Sequence, residues 1–231
     1  MTTRRPVMIA IDGPSGSGKS SVSRAVARSL GVGYLDTGAM YRALTWWCLQ
    51  HGVELADTSA VADAARRLPL LMGTDPATPT VTVEGRDVGA EIRTTDISSV
   101  VSVVATNLEV RAEMRRRQRA LMADIAGECG GVVAEGRDIT TVVAPDADVR
   151  ILLTASEEAR LRRRSAELHG EASDTTIEAT RDQVLRRDRD DATVSTFHVA
   201  ADGVVLVDTS DLDFDQSVAA VLEVVARAEP T

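Results

Sequence analysis

Lysine is all but missing from this chain of 231 residues: 25 of its 26 basic residues are arginine, and the exception is Lys19. A guanine-reading Asn-Lys-x-Asp motif is excluded, because the one lysine belongs to a different pattern. Cysteine is nearly as scarce. Cys48 and Cys129 stand far apart without metal-ligand spacing, which excludes a disulfide framework and predicts free thiols in a reducing compartment. The three histidines (His51, His169 and His198) are scattered and form no ligand set. Aromatic residues make up 3% of the chain, and Trp46 and Trp47 read as packing groups. No apolar run approaches membrane-spanning length, and the polar lead-in Met1 to Pro6 does not resemble a signal peptide, so a cytoplasmic protein is expected. A net charge of −9 argues against sequence-blind binding to nucleic acid or to an anionic membrane. Any anion handled here must meet arginines gathered locally.

What is present centres on Gly13-Pro14-Ser15-Gly16-Ser17-Gly18-Lys19-Ser20. The apolar run Val7 to Ile11 precedes it and a helical pattern from Ser21 to Leu30 follows, the strand–G-x-x-x-x-G-K-S–helix context of a phosphate-binding loop. Glycines let main-chain N–H groups turn onto a phosphate without Cβ clashes. The helix start, Ser20 and Ser21 included, adds unpaired N–H groups and the positive end of its dipole. Lys19 is placed to reach the β- and γ-phosphates of a nucleotide, and the Ser20 hydroxyl to ligate the bridging Mg²⁺. A chain that uses arginine everywhere else keeps a compact, flexible point charge for this one slot.

The rest of the sequence alternates short apolar runs with helical periods. Strands are expected at Val32 to Leu35, Gly131 to Ala134, Val149 to Leu153 and Val204 to Val207, which with the first makes five. Helices are expected at Ala39 to Gln50, Asp57 to Leu68, Ile97 to Ala105 (buried on most faces), Leu108 to Ile125, Ser156 to Leu168, Thr176 to Asp190 and Phe214 to Ala228. Thr80 to Val83 alternates, turns at Glu84-Gly85 and returns through Val88 as a hairpin. The stretch from His169 to Thr176 reads as a polar mobile loop. The pattern predicts an α/β fold: one unit over 1–231, a five-stranded parallel sheet with helices on both faces, a hairpin-bearing insert over 55–105 and a lid over 160–190. Ligands bind outside the carboxyl ends of such strands, where Gly13–Ser20, Asp36-Thr37, Glu135–Asp138 and Asp208 converge.

Opposite the nucleotide stand arginines rather than a water-activating acidic strand end. Transfer between phosphates needs charge neutralisation, in-line positioning and exclusion of water, which points to a kinase with a phosphorylated acceptor. Arg115 to Arg119 occupy successive positions of one helix and cannot all face the site. Arg162 and Arg4-Arg5 read as solvated.

Asp36-Thr37-Gly38-Ala39-Met40-Tyr41-Arg42, Glu91-Ile92-Arg93-Thr94, Arg116-Arg117-Gln118-Arg119, Glu135-Gly136-Arg137-Asp138 and Arg187-Asp188-x-x-Asp191, together with the loop, resemble the bacterial cytidylate kinases over nearly the whole chain. The resemblance implies a P-loop kinase fold and phosphoryl transfer from ATP to CMP or dCMP. It implies Arg42 and Arg137 on the CMP phosphate, with Tyr41 packing nearby. Ser102, Arg111 and Asp138 would read the cytosine edge, with Thr37 lining the same pocket, and Arg187 and Asp191 would contact the sugar. Arg160, Arg163 and Arg164 match lid-side arginines, without indicating which one meets the transferring group. An ionised Asp138 would favour the N4 amine of cytosine over the O4 of uracil. Glu135 reads either as an outer group holding Mg²⁺ waters or as an acid paired to a neighbouring arginine. The family usually continues with Ser-x-Arg after the last aspartate; here Ala192-Thr193-Val194 follow, and that arginine is missing. A kinase for another nucleoside monophosphate or small metabolite is the alternative, and a monomer is expected because no sustained exposed apolar stripe is evident.

Overall fold

The computed structural model describes residues 5–170 and 172–228; Arg4 and Glu171, on which two of the expectations above fall in part, lie outside them. In chain order the elements are β1 (Val7–Asp12), α1 (Lys19–Leu30), β2 (Gly33–Asp36), α2 (Thr37–Gln50), α3 (Thr58–Arg67), β3 (Leu70–Met72), β4 (Val81–Val83), β5 (Arg86–Asp87), α4 (Thr95–Ala105), α5 (Leu108–Cys129), β6 (Gly131–Gly136), β7 (Val149–Thr154), α6 (Glu157–His169), α7 (Asp174–Ala192), β8 (Val205–Asp208) and α8 (Phe214–Ala228).

Five strands form one parallel sheet in the order β2-β6-β1-β7-β8. Period-two alternation divides its side chains between two cores. Ala10, Leu35, Val132 and Ala134 face the side covered by α2, α3 and α5, where Met40, Leu44, Val61, Met114, Met122 and Ile125 are buried. Ile9, Ile11, Val133, Ile151 and Leu153 face α1 and α8, against Val22, Val26, Val221 and Val225. Burying each such side chain contributes about 1.5–3 kcal/mol. The strands are short apolar runs because both faces of the sheet are covered.

Parallel register brings the strand ends to one rim. Asp36 pairs with Glu135 across β2 and β6, Asp12 with Gly136 across β1 and β6, and Thr154 with Asp208 across β7 and β8. Asp12 fixes that rim from behind. Its buried carboxylate accepts from the Ile139 and Thr140 N–H groups (2.9 and 2.8 Å) and from the Thr140 hydroxyl (2.6 Å), pinning the wide helical turn Ile139–Val143.

Some boundaries differ from expectation. The hairpin is a three-stranded antiparallel sheet, β3-β4-β5. Its first strand, Leu70–Met72, has no readable alternation, because Leu71 is exposed among half-buried neighbours. Helix α4 starts at Thr95 and leaves Val103 half exposed, so it is buried on one side rather than on most faces. The expected loop from His169 to Thr176 is a short connection between two helices. Ser173 and Thr176, which read as loop residues, form a reciprocal cap at the start of α7, so their polarity is that of a helix end. Arg5, expected to be solvated, is exposed and 3.4 Å from Asp148.

Candidate active site

The loop between β1 and α1 has the backbone that its glycines allow. Gly16 and Gly18 have φ of +75° and +84°, and a Cβ on Gly16 would lie 2.5 Å from the Arg160 carbonyl oxygen. Gly18 caps α1 without a side chain, leaving the helix start open to an anion. Ser17 is buried within the loop, and Ser21 stands at its exposed edge.

Lys19 and Ser20 begin α1 and point toward Glu135 at the end of β6. The Ser20 hydroxyl donates to Glu135 Oε1 at 2.6 Å, as does the Tyr34 hydroxyl at 3.2 Å, while Lys19 Nζ is 3.9 Å from Oε2. Burial, then the charge of Asp36, raises the Glu135 carboxyl above the usual range. Burial, then Arg137, pushes the Lys19 ammonium down to about 8. No arginine pairs with Glu135 among the described residues; its partners are the lysine and two hydroxyls.

Beside the loop lies a cavity of about 160 Å³ that six cations line: Lys19, Arg42, Arg93, Arg137, Arg164 and Arg187. The crowding acts on the groups themselves. Burial followed by Arg187 pushes Arg42 down to about 9, and burial followed by Arg137 lowers Arg187. Arg42 is aimed by the Ile92 carbonyl (3.2 Å) and the Ser98 hydroxyl (2.8 Å). Arg93 is held by Asp36 at 3.0 Å, and Asp36 also caps α2 through the Ala39 N–H at 2.9 Å. A void ringed by guanidiniums and opened by an amide-lined loop is suited to phosphate groups.

A second hollow of about 50 Å³ adjoins the first, and Arg137 and Arg187 line both. Thr37, Tyr41, Arg111, Asp138, Asp191 and Ser195 complete its polar wall, with Val101 and Ala105 from α4. Arg111 Nη2 pairs with Asp138 Oδ2 at 2.6 Å and donates to the Ser195 hydroxyl at 2.9 Å. Asp138 is raised by burial against the pull of Arg111. Thr37 donates to the Glu135 carbonyl at 2.7 Å. A polar wall that includes the paired Arg111 and Asp138 is suited to the edge of a nucleobase.

The three lid-side arginines separate. Arg164 reaches the large cavity and pairs with Glu167 at 2.7 Å. Arg160 lines neither hollow; it donates to the Ser15 carbonyl at 2.9 Å and pairs closely with Asp188. Arg163 donates to the carbonyls of Ser17 (3.3 Å), Thr209 (2.5 Å) and Leu212 (3.1 Å). Ser102 also lines neither hollow; it is buried on α4 one residue from Val101. On α5, Arg116 and Arg117 pair with Glu113, Arg117 and Arg119 cap carbonyls elsewhere, and Arg115 Nε is buried without a hydrogen-bond partner.

Sequence reasoning placed Asp36 on the ligand-binding rim without naming what it does, and gave no site role to Tyr34, Arg93, Asp188 or Ser195. Asp36, Arg93 and Asp188 lie inside the quoted motifs, which was the available signal; Tyr34 and Ser195 carry none.

The description "Cytidylate kinase" belongs to the family model that matches residues 9–227. Cytidylate kinase of Streptomyces avermitilis is 49% identical over 220 residues, covering 95% of this chain and 92% of that protein. That of Rhodococcus opacus is 49% identical over 222 residues, covering 96% and 95%. Among solved structures, an uncharacterized protein from Eubacterium ventriosum matches with a TM-score of 0.52 at 11% identity, over 95% of this chain and 98% of that one, a likeness of fold alone.

Proposed function

The chain belongs to the cytidylate kinase family, and from that premise we propose that it transfers the terminal phosphoryl group of ATP to CMP or dCMP, giving ADP and CDP or dCDP. The observation that carries this reading is adjacency: an amide-lined loop with one ammonium opens into a guanidinium-ringed void, and Arg137 and Arg187 join that void to the hollow holding Asp138.

On this reading the loop from Gly13 to Ser21 wraps the phosphates of ATP, with Lys19 on the β/γ pair. Arg42 and Arg137 hold the CMP phosphate. Arg187 and Asp191 take its sugar, and Arg187 also neutralises the phosphate. Thr37, Tyr41, Arg111 and Asp138 surround cytosine, with Asp138 accepting from the N4 amine; Ser102, beside Val101 on α4, would have to turn toward the base to join them. The acceptor is an ionised phosphate oxygen, so no proton has to be abstracted first. A bond forms between it and the γ-phosphorus as the bond to the leaving ADP oxygen breaks. The cations lower the repulsion between the two polyanions, which is the main barrier to their approach.

Mg²⁺ fits the oxygen set beside the loop, where the Ser20 hydroxyl and the Glu135 carboxylate already face one another at 2.6 Å. Ser20 would hold the ion and Glu135 its water, and when bound it neutralises phosphate charge. Residues 160–190 act as the lid, with Arg164 meeting the transferring group while Arg160 and Arg163 brace the loop. Residues 55–105 cover the CMP side. Arg93 and Arg164 supply positive charge that the family's arginine would give at Val194.

The same reading takes the protein as a cytoplasmic monomer acting on small molecules, without nucleic acid or membrane partners. Free cysteines and a net charge of −9 support it, and no helix of the described residues is long and apolar enough to cross a membrane.

Release of ADP measured with CMP, dCMP, UMP, AMP and dTMP offered in turn is the test. Strong preference for CMP and dCMP is expected. Preference for UMP or AMP overturns the cytosine assignment, and slow hydrolysis indifferent to any acceptor overturns the kinase reading.

A further inference from the structure

Asp188 lines neither hollow, yet it touches the supports of both. It sits on α7 with a side chain only 6% exposed. Oδ1 accepts from the Ser15 main-chain N–H at 3.0 Å and forms an ion pair with Arg137 Nη2 at 3.0 Å. Oδ2 pairs with Arg160, whose same Nη1 also donates to the Ser15 carbonyl at 2.9 Å. Arg137 in turn donates to the Gly13 carbonyl at 2.9 Å, pairs with Asp191 at 3.1 Å, and lies with its guanidinium carbon 4.5 Å from the centre of the Phe197 ring. One carboxylate therefore gathers the main chain of the phosphate loop, an arginine of α6 and the arginine shared by the two hollows.

We propose that Asp188 is a positioning residue that couples the ATP loop to the CMP-phosphate site, so that filling one site raises affinity at the other. This inference rests on the proposed kinase reading. The physical argument concerns charge and reach. Arg137 and Arg160 are both nearly buried, and the α7 carboxylate between them offsets the repulsion that would otherwise push α6 away from the segment carrying Arg137. When ATP phosphates order the loop, the Ser15 peptide is fixed, and through Asp188 so is the Arg137 fork that grips the second phosphate. The ordering cost is then met once for both ligands, which is positive coupling. A carboxylate placed behind the cations, not among them, performs this without repelling either substrate.

The test is how the KM for CMP depends on ATP concentration in the intact enzyme, comparing wild type with Asp188→Asn, Asp188→Glu and Arg160→Gln. In the wild type, saturating ATP is expected to lower the KM for CMP by at least about fivefold, the low end of common couplings between sites. Asp188→Asn keeps an oxygen for the Ser15 N–H but no charge for the arginines, and its ATP dependence should shrink to less than about twofold. Asp188→Glu should recover part of it. Arg160→Gln breaks the same network from α6 and decides the matter if the Asn variant does not fold. A merely structural carboxylate would lower the melting temperature and the active fraction and leave the dependence of one KM on the other substrate unchanged. Full coupling in a folded Asn or Gln variant overturns the inference, as does a wild-type KM for CMP that ignores ATP. A wild type that releases no ADP in response to CMP overturns the functional reading itself.

Discussion

Lys19 Nζ lies 3.9 Å from the Glu135 carboxylate, with both side chains largely shut away from solvent. The pair does not neutralise the ammonium fully. Burial and the Arg137 charge outweigh Glu135 and push Lys19 down from 10.5 to about 8. A lowered lysine is charged below that pH and neutral above it. The kcat/KM for ATP, which reports the free enzyme, should therefore fall about tenfold per pH unit above roughly pH 8. Bound phosphates restore the charge, so the limb in kcat should move to higher pH. A kcat/KM profile still flat at about pH 9.5 would show that the ammonium is not lowered, whereas full turnover in Lys19→Ala would reject it as the phosphate ligand.

Replacing Asp138 by asparagine leaves the size of the group and adds a donor beside Arg111. Discrimination between CMP and UMP should drop by roughly 5- to 150-fold, the equivalent of losing a buried polar match of about 1–3 kcal/mol. Steady-state kinetics with each nucleotide checks this. Unchanged preference would move base reading to Arg111 or Ser195.

For Glu135→Gln the informative reading is the metal requirement. If the carboxylate holds the waters of the ion, the Mg²⁺ concentration for half-maximal rate should rise by at least about fivefold while KM for CMP holds, a change of about 1 kcal/mol. A lowered melting temperature with an unmoved Mg²⁺ requirement would make Glu135 only a brace for Ser20 and Tyr34. Chelation by EDTA should stop turnover and restored Mg²⁺ should return it.

Arg163 and Arg164 are neighbours in sequence with different expected effects. Arg163→Ala removes the arginine donor from the Leu212 carbonyl and one of the two donors to the Thr209 carbonyl, so it should destabilise the fold by about 1–3 kcal/mol. Among the described residues Arg164 pairs with an exposed glutamate and lines the cavity, so in Arg164→Ala melting should barely change while kcat falls by at least about tenfold. Thermal denaturation and turnover, measured together, separate the two. Equal loss of stability in both would place Arg164 among the braces.

The sheet was legible because strands covered on both faces are uninterrupted apolar runs, and the loop because glycine, lysine and serine keep a fixed spacing after one of them. Leu70–Met72 was not, since a three-residue strand with its middle residue exposed shows no period. Ser173 and Thr176 misled because a helix cap and a loop use the same polar residues. The site was readable in its motifs but not in its wiring. Asp188 and Arg160 stand 28 positions apart on separate helices, and nothing in their spacing signals that they meet. The division of Arg160, Arg163 and Arg164 among three tasks follows from helix rotation, which a run of like residues conceals.

Asp12 ends the central strand, and its carboxylate grips the turn that begins directly after Asp138. The peptide leading into the amide cradle and the segment carrying Asp138 thus stand on one footing. One buried carboxylate sets the spacing between these two segments, and a substitution at Asp12 would shift both together rather than either alone.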